Sequence, residues 1–332
     1  MNVWGIHMGA HVGSSPIEKG YVAIGWDDIG DLSKLAPTRD AFKTEFIRVY
    51  PREKAGAVPV KAGVLYRFVH EMEVGDFVIY PSKNDRMVNI GTVSGSHTFD
   101  ISGAYEYPNY RTVEWLAHIP RDEFPQAALN EIGSAITLFS ITRFASEFLK
   151  RINQESIELE GSDQADSEDD ETATGEVSNQ AVETTHDFII RKLKLGLDPY
   201  QFEEFTAHVL ECMGYTARVT QASGDGGVDV IAHKDELGFE PPIIKVQCKQ
   251  ITGTSSEPEV NRLLGTLGEG EFALFVNLGS YTNPARLLER NRSRLRLIDG
   301  KELVTFVLEN YERLAPKYRT LLPLRQIYVP DI

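Results

Sequence analysis

Hydrophobic and polar positions along this chain change rhythm twice. In residues 1–152, short β-prone runs recur between turn signals, at MNVWGI, GYVAIGW, GDFVIYPS, VNIGTVSG and RTVEWLAHI, the spacing expected of strands. Between them, TRDAFKTEFIRVY and AGVLYRFVHEM place apolar residues three or four apart, which predicts helices. A further helical pattern is read at SAITLFSITRFASEFLKRI. Several short strands with two or three helices predict a small, partly closed β-barrel. Residues 188–332 alternate differently. A helix is expected at DPYQFEEFTAHVLECMG, capped by Asp198, opened by Pro199 and stopped by Gly214. Strands are expected at YTARVTQ, VDVIA, IIKVQCKQ, FALFVNLG and LRLID, and helices at EPEVNRLLGTLGE, NPARLLERNRS and GKELVTFVLENYERL. That order predicts an α/β domain whose mixed sheet is flanked by helices. The fold class is thus a two-domain α+β / α/β chain, which agrees with its 332 residues.

Between the domains, residues 153–187 read as an acidic, disordered linker. The stretch 152–187 holds twelve Asp and Glu, no Lys or Arg and no aromatic residue, too little apolar area to offset chain entropy. This run accounts for most of the formal charge of −15; residues 1–151 carry 16 basic and 18 acidic side chains, and residues 188–332 carry 18 and 19. Charge therefore neither selects nor excludes DNA, and any polyanion-binding face is local. No apolar run approaches the roughly 18 residues of a membrane span, so no membrane partner is expected. MNVWGIHMGAHVG has no leader-like pattern, and the cytoplasm is the expected compartment. With only Cys212 and Cys248, a disulfide scaffold and a cysteine-built zinc site are excluded.

The chemistry concentrates in SGDGGVDVIA and IIKVQCKQ. With period two, Ile244, Val246 and Cys248 face the core, and Lys245, Gln247 and Lys249 share the other face. In the preceding strand Val228 and Val230 are expected inward and Asp229 outward, beside Gln247 and Lys249. The turn Gly224-Asp225-Gly226-Gly227 lets backbone approach closely. An acid, an amide and an amine suit metal-assisted phosphodiester hydrolysis, because Mg²⁺ prefers hard oxygen ligands and needs only one or two carboxylates. Glu203 follows the inward Phe202 on the first helix and can supply a second carboxylate.

Asp229, seventeen residues, then Gln247-Cys248-Lys249 resembles the signature of PD-(D/E)XK nucleases. FEEF, GYTARVTQASGDGGVDVIA, VQCKQ and LIDGKEL together resemble the catalytic domain of Mrr-like restriction endonucleases, over about residues 196–310. The resemblance implies a restriction-endonuclease-like fold in which Asp229 binds metal, Lys249 is the catalytic lysine and Gln247 stands where many relatives have Glu. It also implies that Glu203 completes the metal site, together with the backbone carbonyl of Cys248. The implied cofactor is Mg²⁺, with Mn²⁺ as a substitute. The implied partner is double-stranded DNA, cut by a homodimer. Arg286, Arg290 and Arg292 are candidates for backbone phosphates.

MNVWGI, VGDFVIYPSK and VNIGTVSG resemble the PUA-like superfamily, which includes the EVE and YTH readers of modified bases. That likeness implies an aromatic pocket for an unpaired base, with Trp26, Trp4 and Tyr80 as walls and Asp27 as an acceptor for base amino groups. Ser82, Lys83 and Asn84 are candidates for phosphate or base contact. The resulting expectation is a type IV-like, modification-dependent restriction endonuclease acting on foreign DNA. The alternatives are a repair or structure-specific nuclease, a nucleotide-activated defence nuclease, or an inactive nucleic-acid-binding protein.

Overall fold

The computed structural model describes residues 1–83, 85–134, 136–152, 170–220, 227–235, 238 and 242–326. The chain divides into two compact units, Met1–Thr184 and Thr185–Tyr328. Among the described residues no helix is long and apolar enough to cross a membrane.

The first unit runs β1 (Val3–Ile6), α1 (Ser15–Lys19), β2 (Tyr21–Ile24), α2 (Arg39–Val49), α3 (Ala57–Tyr66), β3 (Phe77–Pro81), β4 (Met87–Val93), β5 (Thr98–Phe99), β6 (Asn109–Pro120), α4 (Gln126–Glu131), β7 (Leu138–Ser140) and α5 (Ala145–Leu149). Its sheet has the order β2-β6-β4-β3-β1-β7, with β5 also on β6. The long strand β6 curls this sheet. Its first four residues pair with β2, and the remainder with β4 across a register shift at Ile90/Gly91, and such shifts bend a strand. Gly91 is required there, since a Cβ would lie 2.8 Å from both Trp115 and the carbonyl of Glu114. Alternation feeds two cores. Trp4, Ile6, Val78 and Tyr80 pack with Phe42, Phe46 and Leu65 of α2 and α3, whereas Val3, Phe77 and Ile79 pack with Leu129 and Phe148 of α4 and α5.

Two buried polar groups hold this unit together. Asp76 (3% exposed) accepts from the backbone N–H of Asn2 at 2.8 Å and of Glu73 at 3.1 Å, and from the indole N–H of Trp4 at 2.9 Å. Arg111 donates to the carbonyls of Phe68 (2.8 Å), Val69 (2.9 Å) and Gly95 (3.2 Å). The expected helix AGVLYRFVHEM accordingly ends as α3 and continues as a single π-helical turn, Arg67–Glu71, whose carbonyls meet that guanidinium.

The expected helix SAITLFSITRFASEFLKRI is a correction. Leu138–Ser140 joins the sheet antiparallel to β1, and only Ala145–Leu149, with a 3-10 turn at Lys150–Ile152, is helical; the sheet edge overrides helical spacing when Leu138 finds a β1 partner. The acidic stretch is also not wholly unstructured. Residues 153–169 lie outside those described, but α6 spans Asp170–Leu195. Ile189, Ile190 and Leu193 in its last turns are buried in the second unit's core, and such packing stabilises a helix beyond its propensity.

The second unit follows with α7 (Pro199–Cys212), β8 (Thr216–Val219), β9 (Val230–His233), β10 (Ile243–Lys249), β11 (Thr254–Ser255), α8 (Glu257–Leu264), β12 (Glu271–Asn277), β13 (Ser280–Tyr281), α9 (Asn283–Asn291), β14 (Leu295–Ile298), α10 (Gly300–Glu309) and α11 (Pro316–Leu321). The main sheet has the order β14-β12-β10-β9-β8. Strands β10, β12 and β14 are parallel, and β8 and β9 are antiparallel. One face carries Val230, Val246 and Val276 against α7 and α10. The other carries Ala273, Phe275 and Leu297 against α8 and α9. This is the mixed sheet flanked by helices that the sequence predicts.

Replacing Asp76 by Ala orphans three buried or half-buried donors at once. We expect Asp76→Ala to lower unfolding stability by about 3 kcal/mol, with Asp76→Asn losing less. Urea unfolding followed by tryptophan fluorescence, all three tryptophans lying in the first unit, measures this; a loss below about 0.5 kcal/mol would remove Asp76 from its anchoring role.

Candidate active site

The site is assembled by α7 and the ends of β9 and β10. Asp198 caps α7 by accepting from the N–H of Gln201 at 2.8 Å, and Gln201 returns a bond to the N–H of Asp198 at 3.0 Å. This capping box fixes where the helix starts. Phe202 and Phe205 then face the sheet, buried with Val230 and Val246, and carry Glu203 to the margin of the same contact.

Asp229 sits one residue before β9. Its N–H donates to the carbonyl of Val246 at 2.8 Å, and its carboxylate accepts from the N–H of Cys248 at 2.6 Å. The expected alternation fails at this point: Val228 packs on the α8–α9 face and Val230 on the α7 face. Thr220 donates its N–H to the carbonyl of Asp229 and its hydroxyl to that of Val228. Regular pairing therefore begins only at Val230, and Asp229 is aimed by this local bend. Of the expected glycine turn, Gly227 is described, at φ +89°, and the amide nitrogen of Gln247 lies 3.0 Å from where its Cβ would stand. Gly224, Asp225 and Gly226 lie outside the described residues.

On β10, Gln247 and Lys249 share the face opposite Val246, as alternation predicts. The carbonyl oxygen of the Gln247 amide is buried and has no hydrogen-bond donor among the described residues. Lys249 lies 3.3 Å from Glu259 on α8, and its ammonium also draws down the carboxyl of Asp229. Lys245, on the same face, is committed elsewhere, to Glu271 at 2.8 Å and the carbonyl of Thr266 at 2.6 Å.

Electrostatics ties these groups together. Burial, then the charges of Asp229 and Asp198, push the Glu203 carboxyl up to about 7. Burial raises Asp229 too, against the opposing pull of the Cys248 N–H and Lys249. The Cys248 thiol is pushed up by burial and by the charges of Asp229 and Glu203, which makes it a packing group rather than a thiolate. Two carboxylates coupled through their charges form an acceptor-rich cluster, and the buried carbonyl oxygen of Gln247, without a donor among the described residues, is a further acceptor on β10. Such a cluster fits a hard divalent cation, which takes oxygen ligands and keeps several waters. Among the described residues no three of His, Cys, Asp and Glu converge, so this set consists of two carboxylates supplemented by amide or backbone oxygens.

The arginine expectation is corrected at Arg286. It is ion-paired with Glu289 at 3.1 Å and with Asp299, and lies over the Tyr281 ring at 4.9 Å. A guanidinium so engaged braces α9 against β14 and has little left for phosphate. Arg290 and Arg292 are exposed. In the first unit, Trp4 and Tyr80 are core side chains, each 3% exposed. Trp4 spends its N–H on Asp76, and burial pushes the Tyr80 hydroxyl up to about 12; neither ring is open to a base. Trp26 is half-buried, with its backbone at φ +67° and its ring edge-on to Phe46 at 6.2 Å. Asp27 is exposed, and its carboxyl is raised by burial and by Asp28. Ser82 is buried, and Asn84 lies outside the described residues. Glu259 was not foreseen, although S-E-P-E at Ser256–Glu259 has the spacing of a capping box.

Residues 194–307 match the family model described as "Restriction endonuclease" (Mrr_cat). This part of the second unit is similar to the catalytic domain of Mrr-type restriction endonucleases. Residues 4–145 match a model described as "Domain of unknown function (DUF8426)". The type IV methyl-directed restriction enzyme EcoKMrr of Escherichia coli (strain K12) is 29% identical over 123 residues, which is 35% of this chain and 40% of that enzyme. The chain thus spans well under half the length of that relative. Among solved structures, the MspJI restriction endonuclease in complex with a 27-mer oligonucleotide is 14% identical, with a TM-score of 0.31, covering 75% of this chain and 64% of that one. The DNA modification-dependent restriction endonuclease AspBHI is also 14% identical, with a TM-score of 0.34, covering 75% and 66%. Likenesses this loose bear on neither unit's chemistry.

Glu203 of the second unit makes stability depend on pH. Its folded carboxyl titrates at about 7 against an ordinary 4.5, so the folded state holds the proton more tightly. The associated stability is complete below about pH 4.5 and is lost as pH rises through about 7. After screening of a half-exposed group, chelator-treated protein should lose about 1–2 kcal/mol over that window relative to Glu203→Gln. Denaturant midpoints across the window measure it, and parallel curves for the two proteins would refute the raised carboxyl.

Proposed function

We propose that this chain is a Mg²⁺-dependent DNA endonuclease of the modification-dependent restriction kind. The first unit selects DNA by a modified base, and the second hydrolyses the phosphodiester bond. The observation that carries this reading is the charge coupling of Glu203 with Asp229 and of Asp229 with Lys249, with a Gln247 oxygen that has no donor among the described residues, in a segment similar to restriction endonuclease domains.

In this reading Asp229, Glu203 and the backbone carbonyl of Cys248 would hold Mg²⁺, or Mn²⁺ in its place. The bound ion supplies charge that polarises the scissile phosphate and acidifies the attacking water. Asp229 is oriented for this by the Cys248 N–H, and Glu203 by the capped helix. Lys249 donates to a non-bridging phosphate oxygen and stabilises the charge that builds there. Gln247 adds a neutral acceptor. Water attacks in line, the bond from phosphorus to the 3′ oxygen breaks, and 5′-phosphate and 3′-hydroxyl ends result. Cutting both strands needs two such sites, hence a homodimer on DNA. Arg290 and Arg292 are the exposed cations available to backbone phosphates.

The curled sheet of the first unit is consistent with a PUA-like base reader. Trp26 and Asp27 are the accessible members of the expected pocket, a flat ring beside an acceptor for base amino groups. The methyl-directed relative supports modified DNA as the partner.

Asp229→Ala and Lys249→Ala should each reduce Mg²⁺-dependent nicking of modified plasmid by at least about 10²–10³-fold while DNA binding persists. Gel-shift and nicking assays on the same preparations separate the two, and a wild-type cutting rate in either variant would refute the assignment.

Plasmids differing only in 5-methylcytosine, 5-hydroxymethylcytosine or 6-methyladenine test the first unit. At least one should be cut in preference to plain DNA. Trp26→Ala should reduce that preference about tenfold, the loss of roughly one base-stacking contact. Equal cutting of all four DNAs would favour a repair or structure-specific nuclease.

A further inference from the structure

Lys249 has two anions within its influence. Its ammonium lies 3.3 Å from one oxygen of Glu259, and its charge draws down Asp229, whose carboxylate accepts from the N–H of the neighbouring Cys248. Glu259 is itself fixed. Its other oxygen accepts from the N–H of Ser256 at 2.8 Å and from the Ser256 hydroxyl at 2.9 Å. This is the capping box of α8, where the helix dipole also favours a negative charge. The hydrogen bonds from Ser256 and the charge of Lys249 hold the Glu259 carboxyl below the usual carboxylate range.

A divalent cation on Asp229 changes the balance at Lys249. It neutralises the carboxylate that attracts the ammonium and adds a repulsive charge close by. A flexible lysine with no other anion would then swing away into solvent. In the metal-free state the same lysine, released from α8, would close onto Asp229 and compete with the ion. A rigid carboxylate on a third element prevents both. We propose that Glu259 is a positioning residue that holds the Lys249 ammonium off Asp229, so that lysine and divalent cation occupy the site together. The inference rests on the metal site of the proposed function and adds a residue to it. Glu259 acts through Lys249 and contacts neither ion nor phosphate.

The test is a double-mutant cycle read by calorimetric titration of Mn²⁺ into the chelator-treated full chain, without DNA. Gln serves in a capping box as Glu does, so Glu259→Gln keeps α8 capped while removing the charge. With Lys249 present, Glu259→Gln should weaken Mn²⁺ binding about tenfold, and in the Lys249→Met background by less than about twofold. Lys249→Met alone should tighten Mn²⁺ binding. Glu259→Gln should also lower kcat for nicking with little change in KM for DNA. Wild-type Mn²⁺ affinity in Glu259→Gln would overturn the inference. So would an equal loss in both backgrounds, because Glu259 would then act on the ion directly. Asp229→Ala in parallel keeps the two readings apart: it should abolish Mn²⁺ binding, and if it binds like wild type the metal site itself fails.

Discussion

The second unit turns on keeping two carboxylates close together. Burial first, and then the charge of Asp229, raise the Glu203 carboxyl to about 7. An isolated pair would relax apart. It cannot here, because each acid is fastened to a rigid element. Glu203 rides on α7, whose start is set by the Asp198–Gln201 capping box and whose apolar stripe is sealed against β9 and β10. Asp229 is tied at both ends: its N–H is held by Val246 and its carboxylate by the N–H of Cys248. The packing of Phe202 and Phe205 therefore stabilises a charge arrangement that electrostatics alone would disperse, as expected where local strain is retained for a task.

The same division of labour explains what sequence patterning reveals and what it hides. Period-two alternation in IIKVQCKQ placed Gln247 and Lys249 on one face, because β10 is a central strand with regular partners on both sides. The start of α7 was legible in Asp198 and Pro199, since capping chemistry is local. Val228 switching faces was not legible, because the bend before β9 depends on Thr220, which belongs to another strand end. Arg286 looked like a phosphate ligand for the same reason: Glu289 is a local partner three residues on, but Asp299 reaches it only through the tertiary fold. In the first unit Trp4 and Trp26 are equivalent letters in the sequence. Only the buried carboxylate of Asp76 makes one a core residue, while the other stands at a loop corner. Helix α6 escaped notice because an acid-rich composition outweighed the few apolar positions that anchor its final turns.

Gln247 shows why the charges in the second unit form a set rather than a collection of residues. A glutamate at that position would place a third carboxylate beside two whose protons are already held too tightly. Its own charge would add to the repulsion and raise all three further. The amide contributes an acceptor oxygen without that cost, but it also contributes no attraction for Lys249. The ammonium then needs another counter-ion, and it finds one in Glu259 on α8, a helix on the far side of β10 from α7. Negative charge is thereby split between the two faces of the sheet, with the lysine on the α8 face. A neutral residue on β10 and an acid on α8 are two halves of one electrostatic solution. Exchanging Gln247 for Glu in isolation would upset it.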